Sequence, residues 1–129
     1  MRIPGLPATL CSNALFSGIG GVALLIAPEA IAALMGGFPA LICRLAGAGL
    51  GVFACDVAWV ACRLPGSMRF VKWIFAADAA WVLATPIVML GFADQLSLWG
   101  HLLLIDVGLV VALFAFLEWR GLQQHRLRA

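Results

Sequence analysis

Charge is what this chain has least of. Asp, Glu, Lys and Arg make up 11% of its 129 residues, against about 25% in an average soluble protein. That scarcity excludes a water-soluble domain, and it excludes a nucleic-acid surface, which needs a basic stripe with interleaved aromatics. Tyrosine is absent and histidine occurs twice, with no pair inside the apolar stretches to hold a haem. The four cysteines, Cys11, Cys43, Cys55 and Cys62, show no CxxC spacing, so helix packing is expected of them rather than a thiol relay or a zinc site. No glycine-rich phosphate loop, cofactor fingerprint or nucleophile with a nearby base occurs. Neither enzyme activity, nor a cofactor, nor a metal centre is expected.

What is abundant is apolar surface. Hydrophobic residues account for 64% of the chain and the mean hydropathy is +1.09, as in an integral membrane protein of one domain. Four stretches, Ala8–Ala27, Ala40–Cys62, Phe70–Phe92 and Leu98–Trp119, are each long enough to cross about 30 Å of hydrocarbon as a helix. Short connections force antiparallel neighbours. The expected fold is an all-α, up-down-up-down bundle of four transmembrane helices, each satisfying its own backbone. The first stretch is read as a retained helix rather than a signal peptide, since no small-x-small site closes it and Pro28 follows directly.

Lys and Arg set the orientation. Arg2, Arg63, Arg69, Lys72, Arg120, Arg126 and Arg128 lie on one side of the spans and Arg44 on the other, which predicts both termini in the cytoplasm. The Ala-, Leu- and Gly-rich composition suggests a bacterial plasma membrane, with lipid as the first partner. Between the first two spans, Pro28 and Pro39 bracket a short periodic segment, Ile31 to Met35, closed by Gly36 and Gly37. It predicts a short helix at the outer interface, ended by a glycine cap. The second connection, RLPGSMR, reads as a Pro-Gly turn, and Ser97 is the expected N-cap of the last helix.

The most informative feature is a repeat. Phe-Ala-x-Asp-x-Ala-Trp-Val occurs at Phe53–Val60 and again at Phe75–Val82, placing Asp56 and Asp78, with Trp59 and Trp81, inside spans. A carboxylate at the centre of a bilayer costs at least about 2.5–3.5 kcal/mol and marks a site by default. If the two spans form a hairpin, Asp56 and Asp78 fall within about one helical turn of the same depth, related by a local two-fold as in inverted-repeat transporters. Were they to meet, both would not ionise cheaply, and a proton or a cation would be held between them. Asp106 on the fourth span is a third proton- or cation-binding candidate.

On each helix the acid lies opposite a ridge of small residues. Gly47, Gly51, Ala54, Ala58 and Cys62 oppose Asp56; Ala76, Ala77, Ala80 and Ala84 oppose Asp78; Gly108, Ala112 and Ala115 oppose Asp106. Two protein-facing surfaces per helix exceed what four helices bury among themselves, which predicts a homo-oligomer or a larger membrane complex. Asn13 and Ser17 on the first span, and Thr85, Trp59 and Trp81, are the candidate lining of a small polar cavity. Lys72 is a candidate ion-pair partner for Asp56, and Arg44 for Asp106.

Two functions of different class fit these residues. The first is a non-catalytic bundle that assembles through small-residue faces, with buried acids fixing specificity and orientation. The second is a small proton- or cation-coupled transporter or channel using Asp56 and Asp78.

Overall fold

The computed structural model describes residues 5–37, 39–64 and 66–128, without the side chains of 125, 126 and 128. Arg2, Pro65 and the side chains of Arg126 and Arg128, used above for topology and turn, lie outside the described residues. Five helices follow one another: α1 Leu6–Ile26, α2 Pro28–Leu34, α3 Ala40–Cys62, α4 Met68–Gly91 and α5 Leu98–Arg128. All but α2 are long and apolar enough to cross a membrane, and the described residues contain no strand. The protein is an all-α, four-span membrane bundle.

Four of the boundaries follow local chemistry. Pro7 in the first turn of α1 and Pro28 at the start of α2 occupy positions where a missing N–H costs nothing. Beyond α2, Gly36 (φ 97°) and Gly37 (φ 90°) adopt the left-handed backbone that ends a helix. Ser97 caps α5 by accepting from the Gly100 N–H at 3.0 Å and donates its own hydroxyl to Leu34 O at 2.8 Å. Ser97 N–H also donates to Met35 O at 2.6 Å. The end of α2 is thus tied to the start of α5, and a Cβ on Gly36 would lie 2.5 Å from Ser97 N. Inside α4, Pro86 leaves the helix continuous, and the hydroxyl of Thr85 donates to Trp81 O at 2.8 Å beside it.

The last helix is longer than its apolar run predicts, continuing past Trp119 to Arg128. Packing explains this. Gly121 lies against Leu6, where an added Cβ would come within 2.9 Å of the leucine, and Leu122 joins the core around Leu10, Val57, Val60, Val71 and Ile74. The start of α1 and the end of α5 share one end of the bundle, so α5 is supported beyond the hydrocarbon.

Two tight pairs make up the bundle. α1 lies mainly along α3, α4 along α5, and α1 and α5 join the pairs, whereas α3 and α4 scarcely pack together. The α1–α3 contact is a backbone approach: a Cβ on Gly21 would stand 2.9 Å from Gly47 O, and one on Gly47 would stand 2.8 Å from Leu24 Cβ. In a bilayer, where burying apolar surface gives no advantage over lipid, such close approach supplies the packing that holds helices together. A second core, of Ala32, Met35, Cys43 and Leu96, closes the opposite end beneath α2.

Candidate functional site

A polar cluster lies inside this apolar frame, where α1, α4 and α5 meet. Asn13 Nδ2 donates to Asp78 Oδ2 at 2.8 Å and to Glu118 Oε2 at 2.9 Å. Ser17, one turn further along α1, donates its hydroxyl to Asn13 Oδ1 at 3.1 Å. Both amide hydrogens are therefore used, one on each carboxyl group, and the amide oxygen accepts from the serine. All four side chains are buried: Asn13 is 1% exposed, Ser17 5%, Asp78 4% and Glu118 0%.

Depth is consistent across the three helices. Asn13 and Asp78 lie about 10–15 Å along their helices from the end that carries both termini, and Glu118 approaches the same end from the other direction on α5. The bundle's packing sets each orientation. Glu118 stands on the inward stripe of α5 with Gly108, Val111, Ala115 and Leu122, while the Thr85 methyl comes within 3.5 Å of where a Gly108 Cβ would be. Asp78 lies on the buried face of α4 with Val71 and Ile74.

Held on one amide, the carboxyl groups of Asp78 and Glu118 are neighbours in a dry interior. Two carboxylates only accept, so a bond between them requires a proton. No Lys or Arg offsets the pair among the described residues, whose one ion pair joins Arg44 to Glu29 at the surface. Glu118 Oε1 is buried without a donor among the described residues, leaving an acceptor open for a proton or a small cation. No group of three or more His, Cys, Asp or Glu with metal-binding geometry occurs among the described residues.

The repeat does not assemble as one site. Asp78 points inward to α1 and α5, whereas Asp56 is exposed and lines a groove between α3 and α4. The small ridge of α3 explains the difference: Gly47 and Ala54 are taken up by α1, which turns the opposite face, with Asp56, outward. On α4 the relationship is reversed, with the acid buried and Ala76, Ala77, Ala80 and Ala84 exposed. Asp106 is exposed, opposite the inward Gly108 and Ala115.

The expected ion pairs take other partners. Arg44 binds Glu29 instead of Asp106, because Glu29 on α2 reaches the same end of the bundle. The Lys72 ammonium lies 5.7 Å from the Trp73 ring centroid and makes no ion pair with Asp56. Of the expected cavity lining, Asn13 and Ser17 join the polar cluster. Thr85 bonds to its own helix, Trp81 is half-buried with Nε1 unpartnered among the described residues, and Trp59 lines the outer groove.

Glu118 is the residue that sequence reasoning missed. It stands at the charged end of the last apolar stretch and was not singled out, yet it falls three positions after Ala115 and continues the Gly108–Ala115 stripe. That register was the available signal. Comparison with known proteins adds nothing to the geometry, since the chain matches no protein-family model, no curated protein and no solved structure.

Proposed function

We propose that this chain is a non-catalytic, multi-pass protein of the plasma (inner) membrane, with both termini cytoplasmic, that works as a small proton- or cation-coupled transporter. Its coupling site is the Asp78–Glu118 pair on Asn13. One observation carries the reading: a single buried carboxamide holds two carboxyl groups from different helices, with no basic partner among the described residues. Two adjacent carboxylates in low dielectric favour one bound proton, or a cation in its place. Because the pair spans α4 and α5 and its bridge comes from α1, a change in its occupancy alters the attraction among three helices. That is the coupling a transporter needs between binding and access.

Proton flux in liposomes under an imposed pH or cation gradient tests it. Wild type and Asp56→Asn carry flux, and Asp78→Asn and Glu118→Gln do not. Flux absent from folded wild type, or retained in both pair variants, overturns the reading.

Assembly is the second reading, favoured by the exposed ridge of Ala76, Ala77, Ala80 and Ala84 and by Asp106 facing outward at membrane depth. Small ridges of this kind let helices of two chains approach closely. On this reading the protein is a homo-oligomer or an accessory subunit of a larger complex. Leucine at Ala80 would then shift its oligomeric mass in detergent while leaving the Asn13 cluster intact.

A further inference from the structure

The repeat's other acid lies in different surroundings. Between α3 and α4 runs an open groove of about 510 Å³, lined by Phe53, Asp56, Trp59, Phe70, Trp73 and Ala77, among others. Its volume is within the range of about 300–1,000 Å³ typical of small-molecule sites. Four aromatic rings contribute to its wall, with Trp59 and Phe70 edge to face at 5.7 Å between centroids. Asp56 is the one ionisable residue in that lining, and it makes no hydrogen bond or ion pair among the described residues.

From this juxtaposition we infer that the α3–α4 groove binds a lipophilic organic cation, with Asp56 as counter-ion and the aromatic rings as its apolar wall. The rings offer broad apolar contact to the cation's substituents, and the Asp56 carboxylate supplies the opposite charge. Asp56 is itself costly to leave unpaired at this depth, and a cation that dissolves in the bilayer reaches the exposed groove sideways, without crossing the polar end. Arg63 over the Trp59 ring (5.4 Å), Arg69 over Phe70 (4.8 Å) and Lys72 over Trp73 (5.7 Å) already engage three of these rings, and none of the three cations lines the groove. The site is independent of the Asp78–Glu118 pair, since Asp78 faces the other side of α4.

Equilibrium binding of tetraphenylphosphonium to the full-length protein in nanodiscs tests the inference, with tetraphenylborate as the anion of matching shape. Saturable binding of the cation is expected, weakened about tenfold or more by Asp56→Asn, abolished by Ala77→Trp and unchanged by Asp78→Asn. Asp56 and Ala77 are exposed, so neither substitution removes a core contact, and a retained thermal transition checks that the variants fold. Cation binding that is absent from wild type, or insensitive to Asp56→Asn, overturns the inference. So does tighter binding of tetraphenylborate, which would assign the groove to an anionic amphiphile held by Arg63 and Lys72. Loss of proton flux with cation binding intact would count against the coupling site alone.

Discussion

Asn13 and Glu118, separated by 105 positions in the chain, meet at 2.9 Å in the interior of the bundle. The same amide group reaches Asp78 at 2.8 Å, so one side chain on α1 fixes the relative rotation of α4 and α5. Replacing Asn13 by Leu removes that bridge and leaves two acids facing hydrocarbon. With about 0.6 kcal/mol expected for each interhelical hydrogen bond in a membrane, and more for exposing a charge, the cost is about 1–3 kcal/mol. Thermal unfolding in detergent measures it, and Asn13→Gln, which retains the amide, is expected to recover part of the loss.

Acid-to-amide changes separate stability from charge. Glu118→Gln keeps the shape and removes the carboxyl group, so it is expected to leave the unfolding midpoint within a few degrees of wild type. Glu118→Ala opens a void under a buried side chain and lowers stability by about 2 kcal/mol or more. Denaturation of both variants under identical detergent conditions compares them directly.

Glycines of one ridge respond differently. Gly47→Ala forces a Cβ to within 2.9 Å of Gly21 O and separates α1 from α3, whereas the Cβ of Gly51→Ala meets nothing within 4 Å. The first substitution is expected to cost about 1–3 kcal/mol, and the second to be neutral or slightly stabilising. The same unfolding assay distinguishes them.

At the opposite end, Gly36→Ala combines a left-handed backbone with a collision against Ser97, while Gly37→Ala meets open space and bears the backbone strain alone. Strain of that kind costs about 1–2 kcal/mol. Gly36→Ala is therefore expected to be the more damaging of the two, loosening the α2–α5 tie, and hydrogen exchange at the Ser97 N–H reports the loosening.

Much of this architecture is legible in the sequence because few local signals compete. Apolar length, Pro28, Gly36 and Ser97 fix four spans and a short interfacial helix with boundaries close to those observed. The site is less legible. Asp56 and Asp78 share a motif, and a repeat cannot say which face each helix turns inward. That choice is made by partners distant in sequence, with Gly21 drawing in the small face of α3 and Asn13 drawing in the acidic face of α4. Glu118 was hidden by its position beside Trp119 and Arg120, where an acid reads as part of a solvated end.

The shared proton is the central claim, and infrared spectroscopy of the protein in bilayers tests it most directly through the carbonyl band of a protonated carboxyl group. The wild type is expected to show that band, Asp56→Asn to retain it, and the double variant Asp78→Asn with Glu118→Gln to lack it. A folded wild type without the band, or a double variant that keeps it unchanged, would contradict the assignment of a proton to Asp78 and Glu118.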